Sequence, residues 1–242
     1  MKIIKTKSFE LAVYMQGNSK AKKLALLLPG RLDTKDYPHM RSHVNFLAGK
    51  GYLALSFDPP GTWESAGDIK LYTMTNYLKA INELIEYFGN KPTVLMGHSR
   101  GGSMAMLAGV QNKYVTHIIA VMSHIEPSEI SEKGRQQGFE ISHRDTPSGG
   151  KKEFKLPLNY FEDAVQYSNI MREALSKSSK SKLFFLGKKD DVNPPKEIVE
   201  IYENSAPPKQ LYEVNCDHDY RNHPEIINEI NIVVGKFLNR KF

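Results

Sequence analysis

Short leucine-rich or β-branched runs alternate along this chain with longer stretches in which apolar residues recur every three or four positions. A run of five or six apolar residues suits a strand buried on both faces, and a 3.6-residue period buries one stripe of a helix. Alternating the two predicts a mostly parallel central sheet with helices on both faces, an α/β fold. Candidate strands are residues 3–7, 10–15, 24–28, 52–57, 93–96, 115–122, 183–186 and 210–214, the first two forming an antiparallel edge hairpin. Leu71, Met74, Leu78, Ile81, Ile85 and Phe88 predict a helix whose stripe faces the sheet and which Gly89-Asn90 ends. Pro224 opens a closing helix with Ile226, Ile230, Val233, Val234 and Phe237 on one face.

The alternation breaks between residues 123 and 168. There, strand-like segments at 139–143 and 152–156 flank the turn-rich Pro147-Ser148-Gly149-Gly150, which predicts a small hairpin serving as a cap. The expectation is a single domain over residues 1–242 carrying that insertion. With 40% apolar and 25% charged residues, the chain has globular composition and enough apolar mass for one full core.

Several function classes are disfavoured. The first residues alternate charged with apolar side chains, and the longest apolar run, residues 24–28, is far short of the roughly 20 residues that span a bilayer. Cys216 is the lone cysteine, so no internal disulfide can form, and the expectation is a soluble cytoplasmic protein. The net charge of +6 comes from scattered lysines without a basic stripe or recognition motif, so neither a nucleic-acid nor a membrane partner is expected. No C-x-x-C, H-E-x-x-H or phosphate loop is present, and His39 and His43 at helical spacing lack a third ligand, so no metal or cofactor is expected. Oligomeric state is left open.

The chemistry concentrates at Gly97-His98-Ser99-Arg100-Gly101-Gly102, directly after the predicted strand 93–96 and before a helix-compatible run at 103–110. G-x-S-x-G alone arises by chance in roughly one chain in ten of this length. Between a strand and a helix it gains meaning: the tight turn strains the serine backbone, exposes its hydroxyl above the sheet, and frees the Arg100 N–H to meet an oxyanion. A serine hydroxyl is a weak nucleophile until a base takes its proton, and with such an elbow the partners follow in the order Ser, Asp or Glu, His. Only His218 and His223 lie late enough. His218, in Asn215-Cys216-Asp217-His218-Asp219, leaves the last strand at the edge where Ser99 emerges, whereas His223 precedes Pro224 and belongs to the start of the final helix. The polar turn after strand 183–186 offers Asp190 and Asp191 as orienting carboxylates; Asp190 is favoured and Asp191 stays open.

Taken together, the chain resembles the α/β-hydrolase superfamily, in particular its small serine esterase and acyl-peptidase branch that includes cinnamoyl and feruloyl esterases. The resemblance covers nearly the whole length. It rests on the elbow Gly97–Gly101, on Gly187-Lys188-Lys189-Asp190, similar to the family's G-x-x-D, on Asp217-His218-Asp219, and on Asp58 to Ser65, similar to its D-x-x-G-x-G-x-S loop. Trp63 and Glu64 depart from that loop, and Trp63 reads as loop packing. The family usually carries His-Gly after its third strand; here the pair is Pro29-Gly30, which implies that Arg31, with Leu32 as alternative, donates the second oxyanion N–H. The cap resembles the cinnamoyl-esterase insertion and implies that Phe139, Tyr160 and Phe161 shape an acyl pocket for small or medium acyl groups, aromatic or not. Arg31 and Arg41 are candidates to hold an acidic substrate group. The resulting expectation is a serine hydrolase cleaving a carboxylic ester through Ser99, His218 and Asp190. A peptidase or amidase acting on small acyl peptides, and a non-catalytic ligand-binding protein of the same fold, are its rivals.

Overall fold

The computed structural model describes residues 2–240; residues 1, 241 and 242 of the expected domain span lie outside the described residues. The chain runs β1 (Lys2–Lys5), β2 (Glu10–Gln16), β3 (Leu24–Leu28), α1 (Pro38–Gly49), β4 (Leu53–Phe57), α2 (Met74–Tyr87), β5 (Thr93–His98), α3 (Arg100–Gln111) and β6 (Val115–Val121). It continues through α4 (Glu132–Gln137), β7 (Phe139–Asp145), β8 (Lys151–Pro157), α5 (Leu158–Val165), α6 (Ser168–Lys177), β9 (Ser181–Gly187), α7 (Pro195–Asn204), β10 (Lys209–Val214) and α8 (Pro224–Leu238).

Eight strands form one sheet in the order β1-β2-β4-β3-β5-β6-β9-β10, antiparallel at β1–β2 and β2–β4 and parallel beyond. The burial explains the sequence pattern. The central strands β3 and β4 are buried at every position, so they read as continuous apolar runs, while the edge strand β1 buries only Ile4. One face packs on α1 and α8 through Met40, Val44, Leu47, Ile230 and Val234. The other packs on α2, α3 and α5 to α7 through Ile81, Leu84, Met104, Leu107, Tyr160, Met171 and Ile198. The carboxyl ends of the parallel strands share one edge, where loops after β3, β5, β9 and β10 converge.

Two expectations shift. The helix expected from Leu71 begins at Met74, where the Thr73 hydroxyl accepts the Asn76 N–H; Leu71 closes a separate 3₁₀ turn. Its buried stripe runs through Tyr77, Ala80, Ile81, Leu84 and Ile85, with Leu78 only half-buried, because the helix also turns Glu83 inward to bind Thr6 and Ser8. The insertion does contain a hairpin: β7 and β8 pair antiparallel as a separate two-stranded sheet. Among the described residues no helix is long and apolar enough to cross a membrane.

Candidate active site

Ser99 joins β5 to α3 with φ 50° and ψ −121°, a conformation that costs L-residues about 1–3 kcal/mol and persists only where the surroundings impose it. They do so through glycines. A Cβ on Gly97 would lie 2.1 Å from the Gly101 carbonyl oxygen, one on Gly101 would lie 1.9 Å from the Leu28 carbonyl oxygen, and one on Gly102 would lie 1.7 Å from Ser123 Oγ. The start of α3 is thereby pressed onto the end of β3, which brings the loop after β3 beside the serine turn. The Ser99 N–H is anchored on the Val121 carbonyl at 2.9 Å, and Ser99 Oγ has no hydrogen-bond partner among the described residues.

His218, after β10, places Nδ1 2.9 Å from Oδ2 of Asp190, which lies after β9. The Asp190 side chain is fully buried, and its Oδ1 accepts the N–H groups of Val192 at 3.0 Å and Asn193 at 2.8 Å. One carboxylate therefore both meets the imidazole and closes its own turn. Asp191 is exposed, and His223 caps α8 while pairing with Asp217 and Glu225. Ser99 and His218 line the same cavity of about 640 Å³.

Behind this group stands His98. Its Nε2 lies 3.0 Å from the His218 carbonyl oxygen and must carry the donated proton, while Nδ1 lies 3.4 Å from Asp33 Oδ2. Burial opposes the Asp33 charge but is outweighed by the hydrogen bond and positive field of His98 and by Arg144, so the carboxyl is held well below its ordinary range. Burial pushes His98 down and outweighs the pull of Asp33, so the ring is held below its ordinary range while Nε2 donates to the His218 carbonyl.

The loop after β3 is held from four sides. Tyr77 donates its hydroxyl to the Pro29 carbonyl, and Arg144 of β7 donates Nε (2.9 Å) and Nη2 (2.7 Å) to the Arg31 carbonyl. Trp63 donates Nε1 to the Leu32 carbonyl at 2.9 Å, and the Leu32 N–H is itself bound to the Tyr72 hydroxyl at 3.1 Å. Leu32 is thereby removed as an oxyanion donor. The Arg31 and Arg100 N–H groups have no protein acceptor among the described residues.

The aromatic acyl pocket is not where the resemblance placed it. Phe139, Tyr160 and Phe161 do not line the cavity: Tyr160 is buried and stacked on Tyr72 at 5.1 Å between centroids, with Phe161 edge-on against it, and Phe139 lies at the far end of the hairpin beneath Lys155. The hairpin instead contributes Ser142, His143 and Arg144, so the cavity wall is polar. Arg41 lies outside it, stacked on Tyr14 and paired with Asp36.

His43 is no metal ligand in this arrangement, since it bonds Asn231 and the Tyr220 hydroxyl. His39 instead falls in with Asp33 and His98, three buried residues whose ligand atoms lie within 4.8 Å of one another and could close on a cation. Arg144, 3.8 Å from Asp33 Oδ1, already supplies positive charge there.

Residues 25–148, just over half of the chain, match the family model of the alpha/beta hydrolase fold. The chain belongs to that family. A sequence comparison with curated proteins finds no match. Among solved structures it is similar to Est1E from Butyrivibrio proteoclasticus, determined with ferulic acid bound, at 18% identity and a TM-score of 0.77 over 99% of this chain and 100% of that one. It is also similar to the esterase Pf2001 of Pyrococcus furiosus (20% identity, TM-score 0.70, 99% and 91% covered). A third similar structure is the thioesterase domain from the curacin biosynthetic pathway (13%, 0.73, 97% and 98%). At such identities these likenesses describe the fold.

Proposed function

We propose that the protein is a serine hydrolase that cleaves a carboxylic ester through an acyl-enzyme. The observation that carries this reading is the 2.9 Å contact of His218 Nδ1 with the buried Asp190 carboxylate, on a cavity that also holds the strained Ser99. Asp190 holds the imidazole with its proton on Nδ1, which leaves Nε2 basic. His218 Nε2 removes the Ser99 proton as Oγ attacks the substrate carbonyl, and the Arg31 and Arg100 N–H groups receive the oxyanion. As the acyl–oxygen bond breaks, His218 returns the proton to the departing alkoxide. Water then attacks the acyl-enzyme with the same base and releases the acid. The fold of esterases and a thioesterase among the similar structures supports an acyl substrate.

A fluorophosphonate probe tests the reading. Near-stoichiometric labelling of the wild type, lost in Ser99→Ala, together with turnover of 4-nitrophenyl esters, is expected. Faster turnover of aminoacyl anilides than of esters would move the activity to amide bonds, and absence of labelling in folded protein would remove the enzyme.

A further inference from the structure

The cavity beside Ser99 contains positive charge that the protein itself leaves unbalanced. Arg100 is only 3% exposed, yet its guanidinium meets neutral groups: Nη2 donates to Ser128 Oγ at 2.9 Å, Nη1 to the Met74 thioether at 3.3 Å, and Nε is buried with no partner. Arg31 is similar, with Nη2 on Ser142 Oγ at 3.0 Å, Nε buried and unpartnered, and the guanidinium over the rings of Tyr160 and Phe161. Among the described residues no carboxylate comes within 4.0 Å of either. The carboxylate that feels Arg31, Glu140, is engaged by the N–H and hydroxyl of Ser131. Lys35 and Arg221 are given carboxylates, Asp36, Asp58 and Glu64 for the first and Asp145 and Asp219 for the second, while the buried Lys182 spends its ammonium on the Ser178 and Lys180 carbonyls, away from the cavity.

Burying a guanidinium without a counter-charge is costly, and a fold retains such a group where something else brings the anion. The position identifies what that is. Arg31 and Arg100 are the residues whose main-chain N–H groups face the oxyanion, after β3 and at the start of α3. The carboxylates lining the cavity on loops after β9 and β10, Asp191, Asp217 and Asp219, lie on the His218 side, where the leaving alcohol must sit to receive its proton.

We infer that Arg31 and Arg100 form a carboxylate subsite for the acyl half of the substrate, so that the preferred substrates are monoesters of short dicarboxylic acids. A planar carboxylate can engage guanidinium forks in a way that a neutral chain cannot. This inference rests on the acyl-transfer reading.

The experiment compares mono-4-nitrophenyl glutarate with its ω-methyl ester, which removes the charge by adding one methyl group, both read by release of 4-nitrophenol. The wild type should favour the free acid by about tenfold or more in kcat/KM, in line with charge-assisted hydrogen bonds. Arg31→Gln and Arg100→Gln should each lower that ratio, and the double variant should bring it to about one; taking the ratio within each variant cancels any general loss of turnover. If the wild type hydrolyses the methyl ester equally well, the subsite falls and the esterase stands. If neither ester is turned over, the esterase reading fails, and calorimetry of glutarate on the wild type decides the subsite: binding that dimethyl glutarate does not reproduce supports it, and no binding overturns it. Should a variant not fold, inhibition of 4-nitrophenyl butyrate hydrolysis in the wild type decides between the same two outcomes: competition by glutarate but not by dimethyl glutarate supports the subsite, and equal or no competition overturns it.

Discussion

Arg144, on the inserted hairpin, grips the main-chain carbonyl of Arg31 with both Nε and Nη2, at 2.9 and 2.7 Å. The Arg31 carbonyl shares its peptide plane with the Leu32 N–H, which the Tyr72 hydroxyl accepts, so the hairpin and Tyr72 together fix the peptide that directly follows the Arg31 N–H.

Removing that grip should therefore cost rate more than stability. Arg144→Ala loses two charge-assisted hydrogen bonds worth about 1.5–3 kcal/mol where the geometry matters, which corresponds to roughly 10- to 100-fold in kcat. Arg144→Lys keeps the charge but not the fork and should recover only part of it. The expected signature is a fall in kcat with KM for a neutral ester little changed and a melting temperature within a few degrees of wild type. A change confined to KM would place Arg144 in substrate binding instead.

Asp190 and Asp191 separate cleanly. Asp190→Asn should lower kcat by about four orders of magnitude, because the amide cannot hold the imidazole in the required tautomer. Asp190→Ala should in addition melt earlier, since Oδ1 also receives the Val192 and Asn193 N–H groups. Asp191→Asn, at an exposed position, should change neither kcat nor the melting temperature. Paired kinetics and calorimetry on the three variants check this, and an inactive Asp191→Asn would transfer the role.

Backbone strain at Ser99 gives a test independent of turnover. Ser99→Ala and Ser99→Gly should both be inactive, but only glycine relieves a residue held at φ 50°, ψ −121°. Against the flexibility glycine adds to the unfolded chain, the net gain over alanine should be about 1 kcal/mol. Equal denaturation midpoints for the two would show that the turn is not strained.

What the sequence made legible follows from range. The elbow could be read because its glycines clash with atoms of the same turn or of the adjoining strand, and His218 could be read because chain order leaves few candidates. The sheet could be read because burial on both faces of β3 and β4 leaves an unbroken apolar run. The grip of Arg144 on Arg31 joins residues 113 apart in the chain through a hairpin whose docking no local pattern encodes. The same blindness misplaced Tyr160 and Phe161: an aromatic in an insertion looks like pocket lining, but Tyr160 is committed to stacking on Tyr72. His98 lay inside the motif, yet its bond to the His218 carbonyl depends on how β5 and the loop after β10 meet in space.

Acid should destabilise the fold through its buried imidazoles, and His43 shows how. It is fully buried between Asn231 and Tyr220, and burial pushes it down from 6.5 to about 4, with the nearby His98 charge acting the same way and the Asn231 hydrogen bond opposing it. The sign follows from proton uptake. Below pH 6.5 the unfolded chain binds a proton that the folded state refuses until about pH 4, so unfolding gains protons and stability falls across that window. Above it, both states are neutral at this site and the contribution is flat. At about 1.4 kcal/mol per unit, His43 alone accounts for a loss of about 3 kcal/mol between the two values. His39, buried beside it and also pushed well below its ordinary range by burial, adds to the slope. Urea unfolding of the wild type and of His43→Gln at pH 7 and pH 4.5 measures the effect. The variant should start less stable, because its amide replaces an imidazole bonded on both sides, but lose less on acidification. An equal loss in both proteins would show that His43 takes up its proton as readily folded as unfolded.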